Sequence, residues 1–322
     1  MLIPFSSVRK NLRRKLEQTD FQSVTEKQLQ HLETEAQQIF NQLPLPPAKG
    51  FARILQLLNV EILCEIDRIC RKHNLDYWLD WGTLLGAMRH KGFIPWDDDV
   101  DIAMPSEDYE KFVEVVPGEL ADRFCFMRVP GMKGFVALKE FAPQTNDDWV
   151  KFSRHRKSTG FRFAVDIFPM HYMRSDVKHE DLTEKIQQAL DWKRKKYDHD
   201  PRTWSSYEEI DKTVRSIMEE VSSKEPTSHM VCSIEHYSKK PVIHKTADIF
   251  PLREVMFEGH SFKAPGNAEV FLWELYGNWF NCVMTHFHIH FDIMNEDDVR
   301  KFVEHGRRLG CLEAVRFTNP QN

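Results

Sequence analysis

A chain of 322 residues, 41% hydrophobic and 29% charged, has the make-up of an ordinary globular protein, which excludes disordered, collagen-like and disulfide-stapled classes. Lys plus Arg is 44 and Asp plus Glu 49, and the net charge of −5 argues against the bulk attraction that drives nucleic-acid binding. The six cysteines are scattered without a C-x-x-C pair and read as reduced packing residues, and no stretch of about 18 apolar residues or secretory-type apolar region occurs. The expectation is a cytoplasmic protein with no transmembrane segment and no nucleic-acid partner.

Residues 1–50 are polar and helical in character, carry Arg9, Lys10, Arg13, Arg14 and Lys15, and end at the breaker Leu43-Pro44-Leu45-Pro46-Pro47. The basic cluster suits either a solvated helix face, the favoured reading, or peripheral contact with the inner face of an anionic membrane. From Phe51, apolar residues at Ile54, Leu58, Ile62 and Ile66 predict an amphipathic helix to about Lys72. Tyr77–Trp81 reads as a short aromatic strand ending at Gly82-Thr83, with Thr83 as N-cap of a helix over Leu84–His90. A turn at 91–95 leads into a strand over Asp99–Met104, and Ser106 with Glu107, Asp108 and Glu110 opens the next helix. Phe124–Val129 and Phe135–Phe141 form a hairpin, Phe161–Phe168 is a third strand carrying Asp166, and 177–223 reads as a charged helical segment.

The densest chemistry lies in Trp96-Asp97-Asp98-Asp99-Val100-Asp101, four carboxylates in five positions with no base between them. In a strand, Asp97, Asp99 and Asp101 share one face and Asp98 points away. Three like charges at that spacing repel unless neutralised, and a hard divalent cation such as Mg²⁺ suits oxygen ligands of this kind; a merely solvated acidic loop is the alternative. Upstream, strand–Gly82-Thr83–helix offers backbone N–H groups to a phosphate. Downstream, Asp166 in Ala164-Val165-Asp166-Ile167-Phe168-Pro169 needs a partner in the acidic strand, because a buried lone carboxylate is costly. This spacing is the one used for two-metal phosphoryl or nucleotidyl transfer.

The run Trp81-Gly82-Thr83-Leu84-Leu85-Gly86-Ala87-Met88-Arg89-His90-Lys91-Gly92-Phe93-Ile94-Pro95-Trp96-Asp97-Asp98-Asp99-Val100-Asp101-Ile102 closely resembles the LicD family of phosphocholine transferases, relatives of fukutin and fukutin-related protein in the nucleotidyltransferase-fold superfamily. Asp166-Ile167-Phe168-Pro169 resembles the family's second block, and Phe250-Pro251-Leu252, Phe257-Glu258-Gly259 and Tyr276-Gly277 its third. After Gly277 the chain departs from the pattern, reading Asn278-Trp279-Phe280-Asn281-Cys282 without the family's proline.

The resemblance implies an α/β nucleotidyltransferase-like core with a small mixed sheet and helical additions. The divisions it suggests are an N-terminal extension (1–50), a catalytic core (51–175), a helical insertion (176–245) and a C-terminal part (246–322). It further implies transfer of phosphocholine from CDP-choline to a hydroxyl of a cell-surface glycan such as lipopolysaccharide or teichoic acid, releasing CMP with Mg²⁺ or Mn²⁺. Asp97, Asp99 and Asp101 match the metal positions, and Asp99, Asp101 and Asp166 the catalytic ones, Asp166 as general base or further ligand. Gly82, Thr83, Arg89 and Trp96 match the donor-binding motif. Another CDP-alcohol donor (ribitol or glycerol), nucleotidyl transfer, and a noncatalytic nucleotide- or glycan-binding role are the alternatives.

Choline would favour aromatic faces, with Trp78, Trp81, Trp96 and Trp149 as candidates against a plain core role. Lys151, Arg154, Arg156, Lys157 and Arg162 could steer an anion, and Lys139 could meet a phosphate. His286, His288 and His290 alternate as on a strand face and could bind zinc, although a polar face is the favoured reading.

Overall fold

In the computed structural model, residues 47–128, 134–142, 163–176, 178, 180–181, 183–188, 191, 207–232, 242–279 and 296–311 are described. All lie in one of the chain's two compact units, Pro46–Trp279 with Met284–Asn322. Its first element is the expected helix, α1, at Phe51–His73. Arg71, Lys72 and His73 occupy its last turn, where cations meet the negative end of the helix dipole, and Asn74 closes it in the left-handed conformation (φ 53°). The buried stripe of α1 contains Leu55, Leu58, Ile62, Ile66 and Ile69, and also two polar residues, Gln56 and Asn59.

Strand β1 (Trp78–Leu79) leads directly into helix α2 (Trp81–His90), and β2 (Val100–Pro105) into α3 (Ser106–Glu119). The hairpin β3 (Phe124–Arg128) and β4 (Gly134–Leu138) precedes the long strand β5 (Ala164–Met173). Helix α4 (Tyr207–Val221) is followed by β6 (Ser222–Ser223), β7 (His229–Cys232) and β8 (Ile243–Lys245). A short helix α5 (Thr246–Ile249), the hairpin β9 (Arg253–Phe257) with β10 (His260–Ala264), and helices α6 (Ala268–Tyr276) and α7 (Glu296–Arg308) complete the described elements.

The main sheet runs β1-β2-β5-β4-β3, with β2 and β5 parallel and the other pairs antiparallel. This is the expected α/β core with a mixed sheet. Five of the six residues of β2 are buried, all but Asp101, so both faces of this strand are covered and simple alternation fails.

Two expectations are corrected here. Strand β5 runs through Pro169 instead of stopping at Phe168. On one side β4 pairs with it only up to Ile167, and β7 begins at Met170. Pro169, which has no N–H to give, falls in the gap between those two ladders. The segment 176–245 is not helical throughout either, because β7 adds to the second half of β5 and β8 pairs with β7. An unpaired half of a ten-residue strand would leave exposed ladder groups, and the apolar Met230-Val231 stretch covers them.

The turn after α2 folds back on the helix so closely that a Cβ on Gly86 would lie 2.5 Å from the Gly92 carbonyl oxygen and 3.2 Å from the Ile94 nitrogen. Gly86→Ala gains about 1 kcal/mol of helix propensity but must displace backbone, which typically costs about 1–3 kcal/mol. The variant is therefore expected to be less stable than wild type in urea denaturation; equal or greater stability would show that the turn is not packed as described.

Candidate active site

The site is built around the end of β2. Asp101 and Asp166 are register partners on the parallel strands β2 and β5, so their side chains leave the same face of the sheet from strands about 4.8 Å apart. Both backbone groups of Asp101 are fixed from the β1–α2 corner: its N–H donates to Thr83 Oγ1 (2.9 Å), and its C=O accepts from the Asp80 N–H (3.0 Å). Thr83 is therefore not the N-cap of α2. Asp80 takes that role, its carboxylate accepting from the Trp81 N–H at 2.8 Å, because the strand ends two residues earlier than the aromatic pattern suggests.

Asp80 is buried, and burial raises its carboxyl to about 6, with the Trp81 N–H and the nearby His244 imidazole pulling the other way. His244 is itself buried, places Nδ1 2.6 Å from Glu274 Oε2 and stacks on Phe271 with ring centroids 3.8 Å apart. The corner is thus tied to α6 by a buried polar group.

Asp97, Asp98 and Asp99 precede β2 and are not part of the strand, so the alternation expected of residues 97–101 does not apply to them. Asp97 and Asp99 lie close enough for each to bear on the other's ionisation. Burial, and then the charges of Asp99, Asp101 and Asp98, push the Asp97 carboxyl well above the ordinary carboxylate range. Asp98 does not project to solvent; it is 3% exposed. Among the described residues no three Asp, Glu, His or Cys side chains converge tightly enough to make a finished metal cage.

Gly82 explains itself in this geometry. A Cβ there would stand 2.8 Å from Asp97 Oδ2, so the absent side chain is what lets the Asp97 carboxylate rest against the first turn of α2.

The acidic turn is also held from behind. Gln56 Nε2 donates to the Asp97 carbonyl (2.8 Å) and Asn59 Nδ2 to the Asp98 carbonyl (2.7 Å). Arg53 Nη1 donates to Gln56 Oε1 (3.1 Å), and Arg53 Nη2 to Glu258 Oε2 (2.7 Å). Glu258 Oε1 accepts the Phe93 N–H (3.0 Å), and the Glu258 N–H donates to the Lys91 carbonyl (2.9 Å).

Residues 74–214 match the family model described as LicD/FKTN/FKRP, nucleotidyltransferase domain. This stretch is similar to a LicD-type domain. It is 48% identical over 60 residues, 19% of this chain and 23% of the other, to the lipopolysaccharide cholinephosphotransferase LicD of Haemophilus influenzae. It is 31% identical over 107 residues, 30% of this chain and 22% of the other, to the human ribitol 5-phosphate transferase FKRP. An uncharacterized protein of Rickettsia typhi is 42% identical over 57 residues, 18% of each chain. The chain thus spans about a quarter or less of the length of these relatives.

The matched residues contain Asp80, Asp97, Asp98, Asp99, Asp101 and Asp166, whereas Arg53, Gln56, Asn59, His244, Glu258 and Glu274 lie outside them. Of the donor-binding candidates, Gly82 and Thr83 stand beside the carboxylates, and Thr83 spends its hydroxyl oxygen on Asp101. Trp96 is half-buried one residue before Asp97. Arg89 sits at the far end of α2, seven residues or about 10 Å along the axis from Gly82, where its Nη1 donates to the Trp279 carbonyl (3.1 Å).

Trp78 is fully buried and meets Phe250 edge-on (6.0 Å), a core residue rather than part of an aromatic cage. Trp81 meets Tyr276 edge-on at 6.3 Å, and Lys139 is exposed beyond the end of β4. Trp149, the basic residues 151–162, His286, His288, His290 and the basic cluster at 9–15 lie outside the described residues. Among the described residues, no helix is long and apolar enough to cross a membrane.

At the same far end, burial and then the Arg89 charge lower the His90 imidazole to about 4. Between pH 6.5 and about 4 the unfolded chain binds a proton that the folded chain refuses, so this group costs stability as the pH falls through that window. Asp80, raised to about 6, acts in the opposite sense over nearly the same range. The difference between wild type and His90→Gln isolates the histidine: the variant should gain stability relative to wild type as pH drops from 7 to 4.5 in urea denaturation. A pH-independent difference would show that His90 is not held neutral.

Proposed function

We propose that this domain transfers phosphocholine from CDP-choline to a hydroxyl of a cell-surface glycan, of lipopolysaccharide or teichoic acid type, releasing CMP with Mg²⁺ bound. The observation that carries the reading is the register pairing of Asp101 with Asp166 on adjacent parallel strands, with Asp97 and Asp99 near enough to Asp101 for their charges to bear on one another. The similarity to the Haemophilus cholinephosphotransferase supports this donor and acceptor class.

The donor set fits a hard cation: carboxylate oxygens whose strongest mutual influence is repulsion. Asp97, Asp99 and Asp101 would hold it, with Mn²⁺ able to substitute. Bound there, Mg²⁺ supplies charge neutralisation for the transferring phosphoryl group. The chain's own work is positioning. The first turn of α2 offers backbone N–H groups to the donor phosphates. The acceptor oxygen attacks the phosphorus bearing choline while the bond to the CMP oxygen breaks and its electron pair leaves with CMP. Asp166, beside Asp101, receives the proton of the acceptor hydroxyl.

A second reading, transfer of ribitol phosphate from CDP-ribitol, draws on the similarity to the human ribitol 5-phosphate transferase. Residues 9–15 would serve peripheral contact with the membrane face that displays a lipid-linked acceptor.

The test is CMP release from CDP-choline, CDP-ribitol and CDP-glycerol in the presence of a lipid-linked glycan, with Mg²⁺ or EDTA. One donor should turn over only with the metal, and Asp99→Asn and Asp101→Asn should each lower the rate at least about 100-fold, the scale of losing one preorganised charge-stabilising group. Turnover of CDP-ribitol alone would replace the phosphocholine reading. Silence with all donors in a folded, nucleotide-binding protein would leave the domain a binding module.

A further inference from the structure

We propose that Gln56 and Asn59 of α1 are positioning residues for the cation site, clamping the acidic turn by two consecutive peptide carbonyls so that its carboxylates stay aligned; this rests on the cation reading above. Both amides are essentially buried, Gln56 at 1% and Asn59 at 0% exposure, on the helix face that otherwise packs Leu55, Leu58 and Ile62. A buried amide on such a face is costly where its hydrogen bonds go unmade; Asn59 leaves its Oδ1 unpartnered, yet both amides direct an N–H₂ at the same short turn, to the Asp97 and Asp98 carbonyls.

The spacing explains why two anchors act as one clamp. Residues three apart on a helix are separated by about 4.5 Å of rise and lie on one side, which suits carbonyls of adjacent residues in a turn. Pinning both carbonyls fixes the peptide between Asp97 and Asp98, and with it the directions in which the flanking side chains leave the chain. The orientation of Gln56 is itself determined. Arg53 donates to Gln56 Oε1, so Nε2 is the atom that faces Asp97. Arg53 is in turn held by Glu258, which also accepts from the Phe93 N–H. Both ends of the stretch 93–98 are thereby attached to the same face of α1.

The chemistry of the donors matters as much as their place. A Lys or Arg could hold the turn by pairing with the carboxylates, but it would then compete with a cation for the same oxygens. A neutral amide aimed at a backbone carbonyl restrains the turn without itself taking up a carboxylate oxygen. Residues that orient metal ligands from behind typically change metal affinity by about 10–100-fold when altered.

The experiment uses the full chain and Mn²⁺ alone, followed by electron paramagnetic resonance of the free ion, so that no turnover is needed. Gln56→Met and Asn59→Leu preserve size and remove the donor; each should weaken Mn²⁺ binding about 10–100-fold, with a cooperative urea transition retained. Gln56→Glu and Asn59→Asp, equal in shape but acceptors only, should be at least as weak and serve if the apolar variants do not fold. Ile69→Ala, ten residues or about 15 Å further along α1, should lower the urea midpoint and leave the Mn²⁺ constant unchanged. Wild-type affinity in the Gln56 and Asn59 variants would overturn the clamp while the cation reading stood. Failure of the wild-type chain to bind Mn²⁺ would overturn both.

Discussion

Mutual repulsion of carboxylates is the constraint around which this site is organised. Asp97, Asp99 and Asp101 crowd together with Asp98 behind them, and the crowding is severe enough that burial and neighbouring charge hold the Asp97 carboxyl far above its ordinary range. Left to side-chain energetics alone, such a turn would splay into solvent. It is kept closed by hydrogen bonds to its backbone. The Asp101 N–H and C=O are taken by Thr83 and Asp80, and the Asp97 and Asp98 carbonyls by Gln56 and Asn59. Restraint through the main chain does not itself occupy carboxylate oxygens, whereas restraint by side-chain ion pairs would.

The same logic accounts for elements remote in sequence. The hairpin β9–β10 contributes no carboxylate to the cluster, yet Glu258 at its turn accepts the Phe93 N–H and pairs with Arg53. Glu258 adopts a left-handed backbone (φ 52°), and Gly259 follows at φ 81°. That tight turn brings the carboxylate back against residues 91–93, where a Cβ on Gly92 would lie 2.4 Å from Glu258 Oε1. The Phe-Glu-Gly sequence is therefore a brace for the loop that delivers the acidic turn.

Much of this was legible in the sequence, for reasons that can be stated residue by residue. The stripe on α1, the acidic run, and the strand–Gly82–helix step announce themselves because periodicity and charge density are local properties. That Asp166 needs a partner in the acidic strand followed from the cost of a lone carboxylate in an apolar strand, and the register sets Asp101 beside it. Asp80 was hidden because a cap can be supplied by the last residue of a strand as well as by the threonine three positions on. Gln56 and Asn59 carried a faint signal, two amides inside an apolar stripe, but what they hold is 41 and 39 residues away. The pairing of β7 with β5 was similarly non-local, with Pro169 as its only trace.

Two buried polar systems flank β2, and they differ in a way that bears on the chemistry. On the α1 side the donors to the turn are neutral amides. On the α2 side, Asp80 feels His244, which bonds to Glu274 of α6. The second system carries charge, but its carboxylate faces the Trp81 N–H at the helix start and its backbone, not its side chain, touches Asp101. Charge is thus used where it fixes the helix, and neutral donors where they meet the acidic turn. An arrangement of that kind preserves a concentrated negative potential at one point while stabilising everything around it, which is what recruitment of a hard cation would require.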